Sequence, residues 1–282
     1  MTTLAQPRPL RILRRGAAGA IAAGMALFAS ACAAMNMGEA VAPTPPAIGL
    51  YELRIYTAAE GKADALDARF RDHTISLFNK HGMKPIGFWH VATPDGATKD
   101  PRLFYLMGYK DRAERDASWR AFAQDPQWQA VYAESQKDGS LTAPGGIESI
   151  FLNATDYSPA LNLTSSATPR HWELRTYTAN PGKLENVHSR FRNHTIGIFS
   201  RLGMTNYLYF RPVADQEKMT DKMVYIMAYP SSAARTTMWQ TFAQDPEWQK
   251  VAAESQVDGQ LLKSPGGVVS VQLTPTDYSP VK

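Results

Sequence analysis

Apolar and polar residues alternate along the segment YELRIYT at residues 51–57. This period of two predicts a β-strand with one apolar face. Further along, the apolar residues are spaced as in an amphipathic helix, which we expect over residues 62–80. The apolar face of that helix contains residues at i, i+4, i+7 and i+11, which are Leu66, Phe70, His73 and Leu77.

Three further strands are predicted at residues 85–91, 102–110 and 147–152. Between the last two, a second helical region begins near residue 113. It is interrupted at Asp125-Pro126, where an N-cap residue followed by proline favours the start of a new helix. The predicted element order is βαββαβ, which is that of a ferredoxin-like unit.

The whole pattern occurs twice. The segment RFRDHT at residues 69–74 returns as RFRNHT at residues 190–195, and TDYSP at residues 155–159 returns at residues 276–280. Other matched segments, such as FAQDPQWQ and FAQDPEWQ, keep an offset of 120 or 121 positions. An internal repeat of this length indicates a duplicated folded unit.

The chain is therefore predicted to be an α+β protein with two tandem ferredoxin-like βαββαβ domains. They occupy residues 50–158 and 171–280 and are joined by a polar linker at residues 159–170. A four-stranded sheet with helices on one face leaves its other face bare, and that face must be buried. We expect the two sheets to pack sheet to sheet, as a pseudo-dimer that forms a single-chain dimeric α/β barrel.

The first 31 residues contain four arginines, no acidic residue and an apolar stretch too short to span a bilayer. We interpret residues 1–31 as a signal peptide and residues 32–49 as a tether. The sequence FASAC is similar to a bacterial lipobox and predicts lipidation at Cys32, with simple cleavage after the small residues ASA as the alternative. The protein is expected to be exported to the periplasm, by the Sec or the twin-arginine route, and to be anchored to the membrane by lipid.

The formal net charge of +4 would by itself suggest an anionic partner. Without the four arginines of the predicted signal peptide, Lys+Arg and Asp+Glu are equal at 26. The mature chain is therefore neutral, and no nucleic-acid partner is predicted. Cys32 is the only cysteine, so no internal disulfide is expected.

The repeated motifs resemble those of the NIPSNAP family. The first copy contains YELRIYT, RFRDHTISLFNKHGM and the spacing W-x-x-F-x-x-D-P-x-W from Trp119 to Trp128. The second contains WELRTYT, RFRNHTIGIFSRLGM and the same spacing from Trp239 to Trp248. The resemblance covers nearly all of both repeats and implies the dimeric α/β barrel superfamily. That superfamily includes cofactor-free monooxygenases, haem proteins and binding modules, so the resemblance leaves the function open.

The two copies differ at the third motif, where GFWH at residues 87–90 is replaced by LYFR at residues 208–211. A ligand site that uses Trp89 would therefore differ between the copies.

His73 and its counterpart His194 are the first candidate site residues. Both lie in an apolar helical stripe, so each imidazole is expected to point toward the sheet. Such a histidine can be a structural core residue with one hydrogen bond, or it can line a ligand cleft between helix and sheet. Arg69, four residues before His73, could bind a carboxylate together with it, or could simply be solvated.

The polar face of the first strand supplies the second set of candidates. It carries Glu52, Arg54 and Tyr56 in the first copy, and Glu173, Arg175 and Tyr177 in the second. Buried charges of this kind need partners. They could form a network that fixes how the two sheets pack together. Alternatively, Arg54 could bind an anion or a carbonyl group and Tyr56 could donate a proton to it.

The sequence lacks the motifs of serine, cysteine and zinc hydrolases and of nucleotide-binding loops, and its histidines and acids show no metal-ligand spacing. No cofactor or metal is predicted. We therefore favour an exported module that binds a small organic ligand. One alternative is a cofactor-independent monooxygenase or isomerase, with His73 or His194 as the base and Arg54 or Arg175 stabilising an oxyanion. Another is a haem-binding protein with an imidazole as axial ligand.

Overall fold

The computed structural model describes residues 47–93 and 99–282. Cys32, the predicted signal peptide and nearly all of the predicted tether lie outside these residues, so lipidation and export stay predictions. In the described ranges, no helix has both the length and the apolar character needed to cross a membrane.

The first repeat contains four strands and four short helices in the predicted order. They are β1 (Leu50–Ala58), α1 (Ala63–Arg69), α2 (Ile75–Lys80), β2 (Lys84–Val91), β3 (Arg102–Tyr109), α3 (Arg112–Gln124), α4 (Pro126–Ser135) and β4 (Thr142–Ala154). The α+β class is confirmed. The largest difference from the predicted boundaries is at β4, which begins at Thr142 and not at the predicted residue 147.

The second repeat has the same order with one added 3₁₀ turn, Glu217–Met219. Its elements are β5 (His171–Thr178), α5 (Leu184–Arg190), α6 (Ile196–Arg201), β6 (Thr205–Pro212), β7 (Lys222–Tyr229), α7 (Ser232–Gln244), α8 (Pro246–Glu254) and β8 (Val268–Pro275).

The predicted helix break after α3 is confirmed. Asp125 has an extended backbone, and its side chain accepts a hydrogen bond from the backbone N–H of Gln127, while Pro126 occupies the first turn of α4. Asp245 caps α8 in the same way through Trp248. Because an N-cap satisfies an otherwise unpaired N–H group, each Asp-Pro pair both ends one helix and begins the next.

A π-helical turn, Phe70–Thr74, joins α1 to α2. The hydroxyl of Thr74 donates to the carbonyl of Arg69 at 3.0 Å across this turn. A π turn holds one more residue than an α turn, so it shifts every later side chain around the helix axis. Thr74 therefore takes the buried place expected for His73, which is exposed. The second repeat has the same turn, Phe191–Thr195.

The eight strands form one closed barrel in the order β1-β3-β2-β8-β5-β7-β6-β4. The repeats join at two antiparallel seams, β2 with β8 and β4 with β6. The prediction that the two sheets pack face to face is therefore incomplete. Their edges are also hydrogen bonded, which leaves no unpaired edge among the strands of residues 47–93 and 99–282.

The alternation in β1 matches this barrel. Tyr51 and Leu53 point inward, where they pack in one cluster with Trp172 and Leu174 of the second repeat. Tyr56, on the opposite face, belongs to a separate cluster beneath the helices of the first repeat. The barrel interior is thus shared by both repeats, and each repeat has its own core between sheet and helices.

The TDYSP segment of each repeat, which we call its tail, docks on the other repeat. In the second tail, the backbone N–H of Thr276 donates to the carbonyl of Phe88 at 3.0 Å, and the N–H of Phe88 donates to the hydroxyl of Ser279 at 2.9 Å. The first tail makes the same two bonds with the backbone of Tyr209. The tails therefore tie the repeats together beside the two barrel seams.

Candidate functional site

A buried ionic network lies between β1 and α3. The carboxylate of Glu52, which is fully buried, accepts hydrogen bonds of 2.5–3.2 Å from four side chains: Arg54, Arg115, Trp119 and Ser149. Burial alone would raise the pKa of Glu52, but the hydrogen bond from Arg115 and the charge of Arg54 hold it at about 2. Glu52 is therefore an ionised structural anchor and not a candidate general base.

All three guanidinium nitrogens of Arg54 donate hydrogen bonds. They bind Glu52 at 2.5 Å, the Tyr105 hydroxyl at 2.8 Å and the Tyr56 hydroxyl at 3.2 Å. The guanidinium carbon also lies 4.4 Å from the ring centroid of Trp119. The network was predicted to lie between the two sheets, and this is wrong. Because Glu52, Arg54 and Tyr56 face outward from the barrel, the network fastens α3 to the sheet.

The second repeat has the same network. Glu173 accepts from Arg175 at 2.7 Å and from Arg235 at 2.5 Å, and Arg175 also contacts the Tyr177 hydroxyl at 3.5 Å. Burial would raise the pKa of Glu173, but Arg235 and Arg175 together lower it to about 2. Arg54 and Arg175 are thus each neutralised by a carboxylate of their own strand.

A cavity of about 90 Å³ lies between the sheet and the helices of the first repeat. Seven of its twelve lining residues are aromatic, including Tyr56, Trp119, Trp128 and Tyr132. Tyr132 and Ile147 stand at the outer part of this lining, and each is 48% exposed. Two of the site residues considered from the sequence, Tyr56 and Arg69, line this cavity. The cavity therefore offers flat apolar walls and few polar groups.

Arg69, at the end of α1, is the one charged residue in the wall of this cavity. The sequence left two interpretations of Arg69 open, a carboxylate ligand together with His73 or a solvated side chain. The second is wrong, because the side chain is buried, with the residue 6% exposed. Its Nη1 donates to the Ser135 hydroxyl at 3.3 Å, and its Nε has no hydrogen-bond partner in the described part of the chain. Burial lowers the pKa of Arg69. Its guanidinium carbon lies 5.4 Å and 5.7 Å from the rings of Trp128 and Tyr132.

The π turn explains the position of Arg69. The sequence places Arg69 next to Phe70, which packs against the sheet, and the turn that follows directs the next three residues outward. The guanidinium is therefore held at the level where α1 meets α4. Ser135 and the two aromatic rings of α4 close over it.

His73 and His194 lie on the outer surface of the helices. Both are exposed and line equivalent grooves between the π turns and the helices α4 and α8. The prediction that each imidazole points toward the sheet is therefore wrong for both. An α-helical period allows either His73 or Thr74 to follow Phe70 on the inward face, and the observed π turn has Thr74 there. Neither histidine lines the aromatic cavity.

Trp89 lies on the inner side of the barrel and is 1% exposed. Its ring centroid is 5.5 Å from that of Trp172 in the second repeat, and both indole nitrogens have no hydrogen-bond partner among the described residues. The structure therefore separates Trp89 from Tyr56 and the other candidates by the thickness of the sheet. It links the two repeats within the shared core.

The second repeat carries a related but different arrangement. Arg190 is 7% exposed, donates to the Ser255 hydroxyl at 3.4 Å and lies 5.1 Å from the ring of Trp248. At the position that Tyr132 has in the first repeat, the matched segments place Ala252. Arg190 therefore has one aromatic neighbour on α8, whereas Arg69 has two on α4.

The sequence pattern did not bring Arg69, Trp128 and Tyr132 together as one group. Trp128 was used only as part of the repeated motif, and the possible carboxylate-binding role of Arg69 was paired with His73 instead. Retention of RFR in both repeats does not single out Arg69, because Arg71 and Arg192 are kept as well and are exposed. In residues 47–93 and 99–282, no group of three or more His, Cys, Asp or Glu side chains is arranged to hold a metal ion.

No curated protein sequence matches this chain significantly. Among solved structures, a Lactobacillus acidophilus protein named for a proposed monooxygenase activity shares the fold over 81% of this chain and 94% of its own, with 12% identity and a TM-score of 0.51. An anthrone oxidase-like protein covers 82% of this chain and 92% of its own, with 10% identity and a TM-score of 0.48. These likenesses concern the fold alone.

A NIPSNAP family protein from Agrobacterium tumefaciens is 24% identical over 39% of this chain and 96% of its own length, with a TM-score of 0.33. The sequence profile of the NIPSNAP family matches this chain twice, at residues 51–159 and 172–280. The resemblance drawn from the motifs is thereby confirmed, and the chain belongs to the NIPSNAP family.

Proposed function

We propose that this protein binds a small aromatic molecule in the cavity between sheet and helices of its first repeat. The observation that carries the proposal is the lining of that cavity, in which seven of twelve residues are aromatic. Aromatic side chains favour stacked or edge-on contacts with another ring. A volume of about 90 Å³ also holds several water molecules, which a ring of similar size would displace.

The polar groups of the cavity support binding more than catalysis. Among its lining residues, all of which are described, none carries a carboxylate, an imidazole or a thiol. The catalytic alternative assigned the base to His73 or His194, and both lie on the outer grooves. It assigned the oxyanion donor to Arg54 or Arg175, which bind Glu52 and Glu173.

The haem alternative has less support for a related reason. An axial imidazole from His73 or His194 would come from the outer groove of its repeat, away from the aromatic lining. Among the described residues, Arg69 alone lines both this groove of the first repeat and the cavity, and a guanidinium is not a haem ligand.

The test is to block the mouth of the cavity. Ile147 is half exposed and lines the opening, so Ile147→Trp should fill it without disturbing the core. Binding of two probes, benzoate and benzamide, would be measured by calorimetry on the full chain. We expect Ile147→Trp to weaken any probe that binds wild type by about tenfold or more, because the indole occupies the space of the ring.

The second repeat supplies the matched control. Val268, at the position equivalent to Ile147, is 44% exposed, so Val268→Trp adds the same side chain to the other repeat. That variant should bind the probe as wild type does. A probe that binds Ile147→Trp and wild type equally well would contradict the proposal.

A further inference from the structure

We propose that Arg69 binds the carboxylate of the ligand, which makes the ligand class a small aromatic acid. The inference depends on the proposed function, because it specifies the ligand of the same cavity. It adds a charge requirement that the aromatic walls alone do not impose.

Arg69 has no carboxylate counterion among the described residues. No Asp or Glu among the described residues lies within 4.0 Å of the Arg69 guanidinium, and its one side-chain hydrogen bond, to Ser135, is long at 3.3 Å. Arg69 as a residue is 6% exposed, so its charge is largely removed from water, which is costly without an anionic partner. The bound carboxylate would supply that partner.

Arg54 differs from Arg69 in having a buried carboxylate partner. Both arginines are buried in the layer between sheet and helices of the first repeat. Arg54 has the carboxylate of Glu52 at 2.5 Å, and all three of its nitrogens are bonded. Among the described residues, the fold therefore provides a carboxylate for Arg54 and none for Arg69.

The acidic residues nearest to the cavity wall do not fill this role. Asp72, Glu134 and Asp138 line the groove on the outer side of Arg69, but none forms an ion pair with it. Glu134 pairs with Lys137 at 2.5 Å instead. The anion that Arg69 lacks therefore has to come from outside the described chain.

The surroundings of the guanidinium fit an aromatic acid. Arg69 lies over the rings of Trp128 and Tyr132, at 5.4 Å and 5.7 Å. A guanidinium can stack on rings with its face and donate in its plane to a carboxylate at the same time. Nε, which has no partner among the described residues, is one of these in-plane donors. The rings that hold the arginine can also contact the ring of the ligand.

The experiment compares benzoate with benzamide, which share the ring and differ in charge. Calorimetric titrations would use the full chain as wild type, Arg69→Met and Arg69→Gln. Wild type should bind benzoate about tenfold or more tightly than benzamide, because a charge-assisted pair is stronger than a neutral one. Both Arg69 variants should bind the two probes with equal affinity, and either variant suffices if the other does not fold.

Arg190→Met is the matched control, because it removes the equivalent buried arginine from the repeat that has Ala252 in place of Tyr132. It should keep the preference for benzoate. Equal binding of both probes by wild type, or a preference that survives in Arg69→Met, would overturn the inference. If that equal binding is still blocked by Ile147→Trp, the proposed function stands without the charge requirement. If wild type binds neither probe, the proposed function fails as well.

Discussion

The guanidinium of Arg71 donates two hydrogen bonds, of 2.7 Å and 2.8 Å, to the carboxylate of Asp277, which lies 206 positions further along the chain. In the second repeat, the guanidinium of Arg192 likewise donates two hydrogen bonds to the carboxylate of Asp156, which belongs to the tail of the first repeat. The second arginine of each RFR motif therefore binds the tail of the other repeat. The duplicated motifs RFR[DN]HT and TDYSP are two sides of one reciprocal contact.

We predict that the exposed part of this contact contributes little to stability and the buried part contributes more. Arg71 and Asp277 are 42% and 65% exposed, so Arg71→Ala should lower the free energy of unfolding by about 0.2–1 kcal/mol. Tyr278→Phe should cost about 1–3 kcal/mol, because the Tyr278 hydroxyl donates to the buried Asp67 at 2.6 Å. Urea denaturation of both variants measures the difference. Equal losses would contradict this division.

A second prediction concerns pH and His188. This histidine is fully buried against the Tyr157 hydroxyl, 2.6 Å from its Nδ1, and burial lowers its pKa from 6.5 to about 4. Between these two values the unfolded chain binds a proton that the folded chain does not, so stability falls as the pH falls from 6.5 to 4. The loss is about 1.4 kcal/mol for each unit by which the pKa is depressed.

Unfolding free energies of wild type and His188→Gln, measured from pH 7 to pH 4, test this prediction. The stability advantage of wild type over the variant should shrink as the pH falls, because the glutamine has no proton to gain. An advantage that stays constant across this range would show that His188 does not titrate with the depressed pKa.

The two buried arginines of the first repeat should respond oppositely to the same substitution. Arg54→Met leaves Glu52 without its nearest counterion inside the core, and we expect a loss of about 3–5 kcal/mol. Arg69→Met removes a buried charge that lacks a carboxylate, so in ligand-free protein it should be neutral or stabilising by up to about 2 kcal/mol. Denaturant titrations without added anions compare them. A loss at Arg69 as large as that at Arg54 would indicate a structural role.

The predicted lipid anchor has its own test. If Cys32 is lipidated, Cys32→Ala should move the protein from the membrane fraction to the soluble periplasmic fraction of a bacterial host. The reason is that an attached acyl chain contributes about 0.8 kcal/mol per buried CH₂ to membrane binding. Immunoblots of both fractions measure the shift. A wild-type protein that is already soluble would instead favour simple cleavage after ASA.

The fold could be predicted from the sequence because its signals are local and repeated. The alternation in residues 51–57 and the Asp125-Pro126 break each determine a local structure that the barrel keeps. The pairing of β2 with β8 could not be predicted in this way. It depends on strand edges from different repeats, and hydrophobic periodicity carries information about faces only.

The candidate site could be predicted less well, since its positions depend on the π turn. A helix read with 3.6 residues per turn allows either His73 or Thr74 in the apolar stripe, and His73 was the residue assigned to it. The observed turn exposes His73 and buries Arg69 and Thr74. Thr74 is i+4 from Phe70 and would have fitted the apolar stripe as well. Its hydroxyl donates to the Arg69 carbonyl across the π turn, so the buried Thr74 side chain has a hydrogen-bond partner.

The joining of both repeats in one polypeptide removes a constraint that symmetry imposes. In a homodimer every substitution appears in both subunits, so two equivalent pockets cannot change separately. In this chain Asp67 corresponds to His188, and Tyr132 corresponds to Ala252. The pocket of one repeat can therefore change independently of the pocket of the other. The constraint that stays is that each repeat must still supply its four strands to the closed barrel.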